Sequence, residues 1–212
     1  MVILYLLYDK SFLCNHANRM IGRIGYRNIK YFDRKGIIMP EYIITVDEQD
    51  REIGSIEKLE AHRLGVLHRA FSILVFNKKG ELLLQRRAKH KYHTPGLWSN
   101  TCCSHQRVGE TLEKAVSRRL QDELGFTCEC KEVHQFKYRV KFDNGLIEHE
   151  IDHVFVGEYD GEVIPNNEEV DEIRWVNLDA LREEMKEQPE EFTYWFKELM
   201  EQLDQLSENK LR

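Results

Sequence analysis

Apolar and polar positions alternate with two different periods along this chain. Residues 42–46, 70–76 (AFSILVF) and 81–85 (ELLLQ) are short apolar runs rich in β-formers and bounded by turn residues, which predicts strands. Asn77 to Gly80 separates the last two at hairpin length. Leu112, Ala115, Val116, Leu120 and Leu124 then recur at helical spacing, and Gly125 follows where a C-cap glycine belongs. Residues 133–142 and 147–158 read as two long strands joined at Asp143-Asn144-Gly145, and residues 173–176 as a last strand. Residues 178–186 and 190–206 read as helices with acidic outer faces. Neither period is sustained in residues 1–38, which Gly22, Gly25 and Gly36 interrupt. That stretch reads as an irregular extension or as sequence upstream of a start at Met39, with one α and β domain over 39–212.

Charge sharpens this boundary. The chain has a formal net charge of −6, of which residues 1–38 carry +5 and the remainder −11. A basic arm for nucleic acid needs a clustered patch, which the extension lacks, so no nucleic-acid partner is expected. The apolar opening MVILYLLY spans eight residues, has no basic segment before it and runs directly into Asp9 and Lys10, a poor secretory signal. No run approaches the roughly 18 apolar residues that cross a bilayer, so no membrane partner is expected. Five cysteines, an odd set without a CxxC pair, fit a reducing compartment. Together these features predict a cytoplasmic protein.

The hexapeptide NTCCSH, residues 100–105, sets a candidate proton-transfer thiol, Cys103, two residues from a candidate ligand, His105. In an extended segment both point to one side. His62 and His68 lie upstream, and Glu148, Glu150 and Asp152 share one face of a predicted strand, with His149 and His153 on the other. Acids at that spacing repel one another unless they share a cation or a proton, or unless the strand is a solvent-facing edge. On the predicted helix Arg119 and Glu123 lie one turn apart, able to reach one ligand or simply to pair. The loop RRAKHKYHTPG, residues 86–96, adds Arg86, Arg87, Lys89 and Lys91, which suit diphosphate oxygens or merely keep a loop soluble. Neither GxGxxG nor GxxxxGK[ST] is present.

From about Met39 onward the chain resembles the type I isopentenyl-diphosphate isomerases, a branch of the Nudix fold. The motifs LLLQRR, TPGLWSNTCCSH, RRLQDELG and EHEID fall in that family's order and spacing. The resemblance implies an α+β fold, an α/β/α sandwich around a mixed β-sheet, and conversion of isopentenyl diphosphate to dimethylallyl diphosphate by a monomer or weak dimer. It implies that His62, His68, His105, Glu148 and Glu150 hold a tightly bound divalent metal, for which manganese, zinc and magnesium all suit the donors. Glu123 would hold a second ion, magnesium, bound with the diphosphate, and Lys58, Arg87, Lys91 and Arg119 would contact the diphosphate itself. Glu150, aided by Tyr138, would protonate the terminal methylene and Cys103 would remove the proton at C2. Trp98 or Trp195 would face the transient cation, with Trp195 preferred. Two other classes are weighed. In a Nudix-type diphosphate hydrolase a glutamate would follow Arg118, where Arg119 stands here before Asp122 and Glu123; a non-catalytic binding protein would need neither thiol nor ligands.

Overall fold

The computed structural model describes residues 32–33, 36–37, 40–91 and 93–209. The chain divides into two units, Met1–Met39 and Pro40–Arg212. In the first, strands β1 (Phe32–Asp33) and β2 (Gly36–Ile37) pair antiparallel; most of what the sequence predicts for residues 1–38 lies outside the described residues.

In the second unit the apolar runs form one nine-stranded mixed sheet. In chain order its elements are β3 (Tyr42–Val46), β4 (Glu52–Glu57), α1 (Lys58–Leu64), β5 (His68–Phe76), β6 (Leu82–Arg87), β7 (Trp98–Ser99), β8 (Cys102–His105), α2 (Leu112–Leu124), β9 (Cys130–Lys141), β10 (Ile147–Glu158), β11 (Val170–Val176), α3 (Leu178–Glu187) and α4 (Tyr194–Asn209). The central order is β11-β6-β5-β10-β9, with β3 and β8 also bonded to β5, β4 to β3 and β7 to β6. The β5–β10 pair is parallel and the others are antiparallel.

Strand alternation sorts side chains into two cores, one on each face of the sheet. Phe71, Ile73 and Val75 of β5 pack with Ala115, Val116, Leu120 and Leu124 of α2. Leu74 packs on the opposite face with Leu181 of α3 and Trp195, Phe196 and Leu199 of α4. The layers are therefore helix, sheet, helix, as the sequence implies. The same alternation splits the adjacent cysteines: Cys102 is wholly buried on the α2 side, and Cys103 packs on the α4 side.

Helix ends follow local chemistry. Thr111 caps α2, its hydroxyl accepting from the Lys114 amide at 3.4 Å, and Gly125 closes it at φ 74°. A Cβ at Gly125 would also meet the Ile164 carbonyl at 2.9 Å, so conformation and space both require glycine. Two elements carry little sequence signal: β4 is largely exposed, and α1 is only seven residues long. A cap nevertheless fixes α1, because the Glu57 carboxylate accepts from the Leu59 and Glu60 amides at 3.0 and 2.9 Å.

The last predicted helix, 190–206, begins later than its pattern suggests. Phe192 is extended at φ −115°, ψ 145° and buried, bridging Trp98 of β7. The Thr193 amide donates to the Trp98 carbonyl at 2.9 Å. This pairing to the sheet outweighs helix propensity, and α4 starts only at Tyr194. Among the described residues no helix is long and apolar enough to cross a membrane.

Candidate active site

Sheet register gathers His68, His105, Tyr138 and Glu150 on the α4 face. Glu150 of β10 stands beside His68 of β5 on one side and Tyr138 of β9 on the other, and His105 of β8 pairs with Ala70 of β5. Helix α1 adds His62. Its Nδ1 bonds the Lys58 carbonyl one turn earlier at 2.6 Å, and His68 Nδ1 bonds the Val66 carbonyl at 2.8 Å. Each backbone bond fixes a ring and turns Nε2 inward.

The ligand atoms of His62, His68, His105 and Glu150, all buried, lie within 4.8 Å of one another. Nε2 of His105, His68 and His62 stands 2.9, 3.2 and 3.9 Å from one oxygen, Glu150 Oε1. With its Nδ1–H donated to the Lys58 carbonyl, neutral His62 presents a bare lone pair toward that carboxylate oxygen, an arrangement that repels unless a cation lies between. Burial pushes the His62 pKa down to about 4 and that of His105 to about 3, so these rings are neutral at neutral pH. Three imidazole nitrogens and one carboxylate, oriented from behind, fit a divalent transition metal.

Glu148 is not brought into this group. Its carboxylate is engaged by other partners beside the centre. Oε1 of Glu148 is 2.7 Å from Nε2 of His93, and its Oε2 is 3.0 Å from the Tyr138 hydroxyl. That hydroxyl also donates to Glu150 Oε2 at 2.7 Å. Burial and the neighbouring Glu150 charge hold the Glu148 carboxyl well above its ordinary pKa. Burial acts on Glu150 in the same direction, but His105 and His68 outweigh it and hold its pKa well below the usual range. The pair is thus poised with one carboxyl protonated and one ionised, linked by a phenol. All three acids of the strand, with Asp152, are buried, so the solvent-edge alternative does not hold.

Cys103 sits on the same face. Burial pushes its thiol up to about 12, against the pull of Arg87 and Lys91. Trp195 is buried nearby: its indole N–H donates to Ser99 Oγ at 3.0 Å, the Arg87 guanidinium lies over its ring at 5.1 Å, and the His93 ring is 5.7 Å away. Trp98 packs instead beneath Arg174 and Arg86, at 4.3 and 5.9 Å.

The four predicted diphosphate cations all have partners. Lys58 lies 3.3 Å from Glu41, which Arg107 also contacts at 2.7 Å. Arg87 donates to the carbonyls of His93 and Thr94 at 3.0 and 3.2 Å, which shapes the loop after β6. Lys91 pairs with Glu169 at 2.5 Å, and Arg119 reaches the same carboxylate at 3.7 Å while bonding Glu123. Glu123 is buried on the α2 side and also accepts from Gln85 at 2.8 Å, so it stands in an ion pair apart from the histidine cluster. Arg118 pairs with Glu110 at 2.5 Å and with Asp122 at 3.7 Å.

Sequence reasoning misses His93 and Glu169. His93 occupies a loop legible only for its cations, although its backbone and ring both join the site. Glu169 is one acid among many in an acidic chain, and nothing in its spacing marks it.

A NUDIX domain model matches residues 66–196. The chain is 51% identical over 162 residues to "Isopentenyl-diphosphate Delta-isomerase 2" of Photorhabdus laumondii, covering 76% of this chain and 92% of that one. It is 53% identical over 158 residues to "Isopentenyl-diphosphate Delta-isomerase" of Burkholderia multivorans, covering 74% and 90%. Among solved structures, a protein of Deinococcus radiodurans superposes with TM-score 0.58 at 20% identity, covering 69% of this chain and 89% of that one. The MutT protein of Methanosarcina mazei gives 0.55 at 23%, covering 66% and 95%. These structural likenesses concern the fold. With about half of the aligned residues identical across nearly the full length of such relatives, and a NUDIX domain matched over residues 66–196, the chain belongs to the type I isopentenyl-diphosphate delta-isomerases of the Nudix superfamily.

Proposed function

We propose that this protein converts isopentenyl diphosphate to dimethylallyl diphosphate by adding one proton to the terminal methylene and removing another from C2. The observation that carries this reading is the meeting, on one sheet face, of a thiol, Cys103, with a phenol-linked carboxylate, Tyr138–Glu150, in the core that Trp195 joins. Protonating an unactivated alkene creates a tertiary cation, so the site needs an acid, a base and a dry aromatic wall. Glu150, with Tyr138 relaying from Glu148, serves the methylene, and Cys103 serves C2. A protonated thiol is ready to donate at C2 in the reverse direction; in the forward direction it must first ionise, which Arg87 and Lys91 favour. Trp195 faces the cation, a contact worth about 2 kcal/mol when desolvated.

A divalent ion held by His62, His68, His105 and Glu150 would supply fixed positive charge that keeps the carboxylate in place. Manganese, zinc and magnesium are the candidates, with Glu148 as the carboxylate for a fifth position. Lys58, Arg87, Lys91 and Arg119 receive the diphosphate, with Glu123 holding the magnesium that accompanies it. The active form is a monomer or weak dimer, and the cysteine usage supports a cytoplasmic setting. Relatives about half identical carry the isomerase name, and Arg119 replaces the carboxylate a hydrolase would need, so hydrolysis is the weaker reading.

Incubation with isopentenyl diphosphate, followed by proton NMR and a phosphate assay, should show dimethylallyl diphosphate without phosphate; phosphate in its place supports the hydrolase. Arg119→Ala and Lys91→Ala should each raise KM more than they lower kcat, because uniform diphosphate binding is lost. Steady-state kinetics showing a fall in kcat at constant KM would move these residues into the chemistry. A chain that begins at Met39 should keep full activity and a similar melting temperature, and loss of either would make the extension part of the domain.

A further inference from the structure

Cys128 and Cys130 take no part in these proton transfers and pack on the α2 side of the sheet, away from Cys103. In a straight strand, residues two apart stand about 6.6 Å from each other. Here the connection from α2 bends into β9, and the two sulfurs approach to 3.6 Å. Gly157 of β10, the register partner of Cys130, makes this approach possible. A Cβ at Gly157 would lie 2.8 Å from Cys130 Sγ and 2.9 Å from Cys128 Sγ, so both sulfurs occupy space that any other residue would fill. Gly157 is not among the positive-φ glycines, so its lack of a side chain serves space and not backbone conformation. Both cysteines are half-buried, within reach of a small reagent. The hydrogen bond between the two thiols lowers the Cys128 pKa and raises that of Cys130, which favours the thiolate on Cys128.

We propose that Cys128 and Cys130 form a dithiol site that reacts with small disulfides and closes to an intrachain disulfide. The Cys128 thiolate attacks one sulfur of the small disulfide, whose S–S bond breaks, releasing one thiolate and leaving a mixed disulfide on Cys128. Cys130 then gives up its proton and attacks the Cys128 sulfur, releasing the second small thiolate. Two cysteine thiols are oxidised by two electrons, one small disulfide is reduced, and the two protons end on the two released thiols.

The test treats the full-length protein with glutathione disulfide, blocks free thiols with iodoacetamide, and reads the digest by mass spectrometry. The peptide holding both residues should lose two hydrogens and resist alkylation, and dithiothreitol should restore it. Cys130→Ser should stop at a glutathione adduct on Cys128. Cys128→Ser should give no intrachain disulfide. Thermal melts of both variants close to that of the parent protein confirm that each is folded. Complete alkylation of both cysteines in the treated parent protein, or the same two-hydrogen loss in that peptide of either variant, overturns the proposal.

Discussion

Replacing Cys103 by alanine is expected to lower kcat by about 10²–10⁴-fold, the range for loss of a positioned acid–base group. Diphosphate affinity should change little, because the thiol acts on carbon and the cations that hold the diphosphate remain. Stability should fall by only about 1 kcal/mol, within the usual range for a small buried truncation, so lost folding cannot mimic the effect. Cys102→Ala is the control. It faces the α2 core beside Glu123, so its loss should leave kcat nearly unchanged. Pre-steady-state turnover with both variants decides the matter: an essential Cys102 with a dispensable Cys103 would reverse the assigned roles.

Glu150→Gln is expected to be as severe, because one oxygen, Oε1, faces all three histidines while Oε2 takes the Tyr138 hydroxyl. The substitution removes the carboxylate that passes the relayed proton to the methylene and weakens the metal site together. Chelation of the parent protein should abolish turnover, and a divalent ion should restore it. Thermal melting gives a readout independent of activity. A metal present at 100 times its Kd stabilises by about 2.7 kcal/mol, which for a domain of this size raises Tm by about 5–10 °C. Glu150→Gln and His105→Ala should lose most of that shift. An unchanged metal-dependent Tm in both variants would mean that the cluster is not the metal centre.

How far the sequence reveals this molecule depends on which force decides each element. Residues 147–158, with Glu148, Glu150 and Asp152 on one face, are legible from period and spacing because burial acts on alternate positions. Helix α2 is legible because its stripe, threonine cap and closing glycine all agree. Strand β4 and helix α1 are not, since an exposed edge and a seven-residue helix leave no periodic record, although α1 delivers His62 and Lys58. The break before α4 arises from pairing of Phe192 and Thr193 with Trp98, a contact across the fold that no local pattern encodes. The histidine cluster is foreshadowed by spacing and resemblance. Its selection of Glu150 over Glu148 is a matter of sheet register, which sets Glu150 beside His68, and the involvement of His93 and Glu169 is a matter of tertiary geometry.

The central claim is a two-group mechanism in which a solvent-exchanging donor adds one proton to the terminal carbon while a second group removes a different proton from C2. Isomerisation of isopentenyl diphosphate in deuterated water, followed by deuterium NMR, tests it most directly. The account predicts deuterium in the new methyl group of dimethylallyl diphosphate with no phosphate released; a product methyl free of deuterium, or phosphate in place of the allylic product, would contradict it.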